Sequence, residues 1–473
     1  MLFNSLAFVA FFAIVTSLFF ILPHKYRWLL LLLSSCYFYM DFIPIYILVL
    51  AFTIVVDYFA GILIEKSSGA KRKWYLRMSI VANVGILAFF KYFNFVNDNI
   101  TFVLKLFDFT NPVTDLSFIL PIGLSFHTFQ AMSYTIEVSR GNQKAERNFG
   151  IYALYVMFYP QLVAGPIERP QNIINQFYEP KKFDYDRVVA GLKIVLWGFF
   201  KKLIVADRLS IYVNAVYNNP YHHSGKTLFL ATIFFWLQIY CDFSGYSDIA
   251  IGSAKVMGYD LMENFRRPIL GKSVAEKWNR WHISLYTWFK DYVFAPLSKK
   301  ARRNKTKLLG LVVFIFLLSG IWHGANWTFV FWGIFSGLSI VAERLYKEKV
   351  KPQKYISKTW MTILGTIISF LVCSLSCLFF RALSVKDALH IGKAIATMKK
   401  GALFKGSPPI NFYYFIIVAI LLLTVELFQE YLPKVKVIGN KNVVIRYTGY
   451  VIVIMLILMI GVFNGSQFIY FQF

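Results

Sequence analysis

Long apolar runs recur from one end of this chain to the other. Ser5 to Leu22, Met361 to Phe380, Phe412 to Phe428 and Tyr447 to Val462 are continuous rather than alternating. Continuous runs of this length predict membrane-crossing helices, whereas a β-barrel would alternate apolar and polar positions. The pattern predicts an all-α polytopic integral membrane protein with about eleven transmembrane helices plus shorter re-entrant or interfacial ones. We expect one domain over residues 1–473, with ordinary spans in 1–116, a functional core in 117–345 and plain spans again in 346–473. Within the core the runs shorten, and Pro121-Ile122-Gly123 and Ala164-Gly165-Pro166 interrupt them. Irregular backbone at membrane depth survives only inside protein or beside a water-filled cavity. Val385 to Ser407 is mixed and basic, the composition of an interfacial segment.

Composition agrees. Only 16% of residues are charged and mean hydropathy is +0.55, against about 25% charged in a typical soluble domain. The net charge of +26 sits in short loops between apolar runs. That is positive-inside anchoring and attraction to anionic lipid, and no nucleic-acid recognition module accompanies it. The run from Ser5 has no basic residue before it and no cleavage signature after it, so it reads as a retained span. His24 to Arg27 and Glu65 to Arg77 are basic, while Asp41 to Pro44 and Asn97 to Leu116 are not. The alternation places the N-terminus outside a cell membrane. The four cysteines lie in apolar runs without metal-ligand spacing, which predicts neither a structural disulfide nor a metal site.

One stretch organises the rest. Leu308 to Arg344 holds two apolar runs around Trp322-His323-Gly324-Ala325-Asn326, with Lys and Arg clusters beyond both ends. Both ends then face the cytoplasm, and the middle forms the tip of a helical hairpin. His323 lies roughly 24 Å from Lys307 along a helix, deep in a hydrocarbon layer about 30 Å thick. An ionisable side chain at that depth is a functional candidate. A second candidate is His282, in Lys277 to Tyr292. Read as one helix, that segment puts Trp278, His282, Tyr286 and Phe289 on one face. The same aromatic-rich segment also fits an interfacial amphipathic helix.

Tyr240 to Asp248 brings Asp242 and Asp248 into an apolar run, where they need partners. They can orient a histidine, pair with Arg266, Arg267 or Arg280, or tie helices together. Arg266-Arg267-Pro268 offers two guanidinium groups to a phosphate-bearing donor. Trp322 and Asn326, beside His323, join Asp242, Asp248, Arg266 and Arg280 as candidate substrate contacts. Of the other histidines, His24, His222, His223 and His390 fall in or near loops, and His127 reads as packing. No phosphate-binding loop, dinucleotide fingerprint, zinc-protease helix or nucleophile elbow is present. Two buried histidines without an evident protein nucleophile suit proton abstraction from a hydroxyl that attacks an activated acyl group. A proton-coupled transporter using Asp242 as relay fits the same residues.

Through these motifs the chain resembles the membrane-bound O-acyltransferases, and most of all the bacterial branch that O-acetylates alginate. The resemblance rests on Trp322 to Asn326, Arg280 to Ser284 with Asp291-Tyr292, Asp242 to Asp248, Ala164 to Pro166 and Phe468 to Phe473. It implies that His323 is the catalytic histidine and His282 the second polar position. It further implies helices around a central funnel, where a cytoplasmic acyl thioester, acetyl-CoA or another, meets an acceptor from the other face. No tightly bound cofactor is implied. An extracytoplasmic acetyltransferase-like partner would complete delivery to a cell-surface glycan across a bacterial inner membrane. A related branch transfers D-alanine to teichoic acid. His127 and Lys290 depart from the family pattern, which has an aromatic residue and Arg there.

Overall fold

The computed structural model describes residues 1–117, 120–163, 165–350, 357–406, 408–432, 439–463 and 468–469. Ala164, Lys351, Lys354 and the motif positions 470–473 lie outside the described residues. The described chain is helical, with no strand. Eight of its helices are long and apolar enough to cross a membrane. A shorter apolar helix, Leu6–Ile21, covers the first predicted run. The last three predicted runs appear as Lys358–Arg381, Ile410–Tyr431 and Val443–Ile460. Val385–Ala396 is a separate amphipathic helix, with Ala388, Ile391 and Ala394 buried and Leu389 exposed.

Two compact units emerge. The first comprises Met1–Val195 with Ile249–Met262, the second Leu196–Asp248 with Glu263–Phe473. In the first, Ile47–Lys66, Gly69–Lys105 and Leu124–Arg140 pack together. Polar side chains join them: Ser79 Oγ donates to Asp57 at 2.6 Å and Asn83 Nδ2 at 2.8 Å. His127 meets Thr53 Oγ1 at 2.5 Å through Nε2. That histidine is a buried helix-to-helix contact, as its reading as packing required.

The second unit holds every candidate site residue. Its frame is the predicted hairpin, Lys305–His323 and Trp327–Lys349, joined by only Gly324, Ala325 and Asn326. Asn304 caps the first helix on Lys307 N, and Asn326 caps the second on Thr328 N. The two helices approach through glycine. A Cβ at Gly320 would collide with the Phe329 carbonyl, and one at Gly333 with the Phe316 carbonyl. Without an aqueous driving force between spans, such close backbone packing is what joins helices in lipid. Most spans keep wide apolar faces outward; only 11% of the Val443–Ile460 window is buried, against 83% for Gly225–Met257. The latter is largely enclosed by protein, which is how it can carry Asp242 and Asp248.

The hairpin makes a measurable demand. Gly320→Leu should lower the thermal midpoint of the detergent-solubilised protein, because overpacking a close contact costs about 1–3 kcal/mol. Gly310→Ala, on the same helix with open space around it, should leave the midpoint unchanged or raise it, since helical Gly is about 0.5–1 kcal/mol less stable than Ala.

Candidate functional site

The segment carrying His282 is not the single helix expected. It is Val274–Arg280, then a break, then Ile283–Phe289, then a wide turn of π-helix over Lys290–Phe294. Trp281 is extended, and His282 sits at φ 40° and ψ 54°, a left-handed conformation that non-glycine residues rarely adopt. The cause lies in the loop at 264–266. In an unbroken helix, Arg280 O would accept from Ser284 N. Here Arg280 O accepts from Arg266 N at 2.9 Å, and Ser284 N donates to Asn264 Oδ1 at 3.3 Å. Ile283 N donates to Asn264 O at 2.8 Å. Both halves of the lost helical bond thus find partners in one loop. The expected face survives the break all the same: Trp278, His282, Tyr286 and Phe289 line one cavity.

That cavity, of about 40 Å³, also receives Ser319 and His323 from the hairpin. His282 and His323 therefore open onto the same space. Its walls are mostly aromatic. The His323 ring meets Trp332 at 5.1 Å and Phe380 at 5.2 Å, both edge-on. Trp322 lies against both imidazoles, 4.8 Å from His323 and 6.1 Å from His282. Phe243 meets His282 edge-on at 4.5 Å. His282 Nδ1 is 3.0 Å from Asn264 Oδ1. Burial pushes the His282 imidazole down to about 3, so the ring is neutral near neutral pH and serves as a hydrogen-bonding group. Space of this size holds water or a small reacting group, whereas a bound drug-sized ligand occupies about 300–1,000 Å³.

The remaining candidates do not line this cavity. Asp242 and Asp248 pair with lysines, not with Arg266, Arg267 or Arg280. Lys202 Nζ lies 2.5 Å from Asp242 and 2.8 Å from Asp207, and Lys201 Nζ lies 2.7 Å from Asp248. A π-helical stretch, Phe200–Ala206, carries both lysines. Asp242 Oδ2 also accepts from Ile469 N at 2.7 Å, and Phe468 stacks on Tyr246 at 4.4 Å. Arg266 is exposed and pairs with Glu263 at 2.5 Å. Arg280 spans Glu430 at 2.9 Å and Glu276 at 2.7 Å, while Arg267 takes the other Glu430 oxygen at 2.7 Å. Asn326 spends its side-chain oxygen on the helix cap. Lys201-Lys202 and Asn264 were not singled out from the sequence. The lysines had a signal there, a charged pair inside an apolar run; Asn264 had none, because a loop asparagine is commonplace.

Residues 77–385 match the family model described as MBOAT, membrane-bound O-acyltransferase family. The chain is 33% identical over 387 residues to the probable alginate O-acetylase AlgI of Azotobacter vinelandii, covering 81% of this chain and 75% of that one. It is 30% identical over 393 residues to the peptidoglycan O-acetyltransferase of Helicobacter pylori, covering 77% and 73%. It is 28% identical over 260 residues to the teichoic acid D-alanyltransferase of Bacillus subtilis, covering 53% and 65%.

The lysine network has a test. Lys202 and its two partners are each at most 4% exposed. Lys202→Met should destabilise the protein by about 3–5 kcal/mol, the usual cost of stranding a buried charge. Lys201→Met should cost less, because Asp248 is 23% exposed and its charge is less fully enclosed. Thermal unfolding in one detergent ranks the two.

Proposed function

Because the chain belongs to the membrane-bound O-acyltransferase family, and so is a multi-pass membrane enzyme that transfers acyl groups to oxygen, we propose that its acyl group is acetyl. The donor is a cytoplasmic thioester, acetyl-CoA, and the acceptor is a hydroxyl destined for an extracytoplasmic polysaccharide. Two relatives named for O-acetylation, of alginate and of peptidoglycan, each align with over three quarters of the chain. The D-alanyltransferase aligns with about half of it, so the acetyl reading has the broader support. A separate extracytoplasmic acetyltransferase-like protein receives the group and passes it to the glycan. We place the enzyme in a bacterial inner membrane with its N-terminus outside. About eleven spans and re-entrant pieces, as the hydropathy pattern predicts, would surround a funnel reaching the cavity from both faces.

The observation that carries this reading is the convergence of His282 and His323 on one cavity. His323 takes the proton of the acceptor hydroxyl, the oxygen attacks the thioester carbonyl, and the carbon–sulfur bond breaks. The proton then goes to the departing thiolate. General-base assistance of this kind contributes about 10²–10⁴-fold. His282, neutral through burial, orients the substrate at the same cavity or assists the proton transfer. The aromatic walls keep bulk water from the thioester. Asp242, Asp248, Arg266, Arg280, Trp322 and Asn326 act around this pair by holding helices, loops and rings in place.

His323→Ala should abolish acetylation of surface glycans, read by mass analysis, while the protein reaches the membrane in normal amount. His282→Ala should leave measurable residual acetylation. Unchanged acetylation in a well-expressed His323→Ala strain would remove the base from this mechanism. An added mass of D-alanine instead of acetyl on the wild-type glycan would favour the other branch.

A further inference from the structure

His282 is held by a residue that no part of the acyl-transfer scheme requires. Asn264 is fully buried, in the loop before Arg266-Arg267. Its Oδ1 receives Ser284 N at 3.3 Å and Ser284 Oγ at 2.8 Å, and faces His282 Nδ1 at 3.0 Å. Its Nδ2 donates to Ser247 Oγ at 2.9 Å, on the Gly225–Met257 helix. Its backbone carbonyl takes Ile283 N.

These contacts decide the chemistry of the ring. Oxygen and nitrogen of an asparagine amide look alike by shape, and the hydrogen-bond network assigns them. A backbone N–H can only donate, so the amide atom facing Ser284 N is the oxygen. The atom facing His282 Nδ1 is that same oxygen. Ser284 Oγ, 3.4 Å from Nδ1, gives its one hydrogen to Asn264 Oδ1, so Nδ1 carries the proton and Nε2 is the basic nitrogen. Which ring nitrogen is basic follows from the bond the other one makes. The left-handed backbone at His282 (φ 40°) is the conformation in which Nδ1 and Ser284 N share one acceptor. Asn264 does this without a charge; an aspartate there would favour the protonated ring.

We propose that Asn264 is the positioning residue of His282: its side-chain oxygen holds the Nδ1–H tautomer and leaves Nε2 to serve the cavity shared with His323. The proposal rests on the role given to His282 above. It assigns a function to a loop asparagine that touches neither substrate nor donor, and it makes Ser247 the brace that aims the amide.

The test uses the full-length protein in membrane vesicles from cells that retain the acceptor glycan, with acetyl-CoA as the varied substrate and CoA release as the readout. Asn264→Ala should lower kcat at least about tenfold, part of what acid–base assistance supplies, with KM within about twofold, the pattern of an interaction made only in the transition state. His282→Ala is run beside it. If His282→Ala keeps the wild-type kcat, the role of His282 falls and this inference with it. If His282→Ala is impaired and Asn264→Ala is not, only the inference falls. A raised KM at unchanged kcat also overturns it, since that marks a substrate contact. Should Asn264→Ala fail to accumulate, Asn264→Asp keeps an oxygen for the three donors, His282 Nδ1, Ser284 N and Ser284 Oγ. Its kcat deficit should deepen as pH falls and shrink as pH rises, because the carboxylate favours the charged ring. His323 and Tyr286 face the same cavity, so wild-type and His282→Ala profiles run in parallel remove their titration. A deficit independent of pH overturns the proposal. If wild-type vesicles release no CoA, the donor assignment fails, and the same variants are scored by glycan acetylation instead.

Discussion

A peptide group without a hydrogen-bond partner costs several kcal/mol in hydrocarbon, and that constraint governs this molecule. Spanning helices satisfy it internally. A broken helix cannot, unless another part of the protein takes over each orphaned donor and acceptor. At 280–284 the loop at 264–266 takes the Arg280 carbonyl and the Ile283 and Ser284 N–H groups. The break lets His282 leave the helical path and meet the hairpin's His323 at one cavity. The irregular backbone is therefore the means by which two histidines, distant in sequence, share a space of water size.

The hairpin supplies the other half of the cavity and must not move relative to itself. Its three-residue turn leaves no slack, and glycine on both helices brings the backbones together. His323 is the last residue of its helix, so its ring position follows from where that helix stops. Asn326 caps the next helix three residues further on. The rings of Trp322, Trp332 and Phe380 then fill the volume around the imidazole. Aromatic walls of this kind exclude water and strengthen whatever electrostatic contact forms inside.

Charge is handled separately from chemistry. The buried acids Asp207 and Asp242 and the partly exposed Asp248 are matched by Lys201 and Lys202. Glu430 is matched by Arg267 and Arg280. Tyr240 donates to Glu426. Within the enclosed part of the second unit, ionic groups bind helices, loops and the 468–469 segment to one another. The imidazoles at the cavity are surrounded by rings and neutral polar groups.

Hydropathy and charge pattern alone determined that the chain is helical and crosses a membrane many times. They also located the hairpin and marked His282 and His323 as the polar groups worth a function. These are local properties: an apolar run of spanning length has few alternatives in lipid, and a histidine inside one is conspicuous. The motifs added the family. Tertiary structure decided what depends on distant partners. It broke the His282 helix, because Asn264 and Arg266 compete for the same backbone groups. It gave Asp242 and Asp248 to lysines rather than arginines, because a π-helical stretch turns Lys201 and Lys202 toward them. It made Asn326 a cap and Asn264 a hub, two roles that one residue type at one hydropathy cannot distinguish in a linear chain.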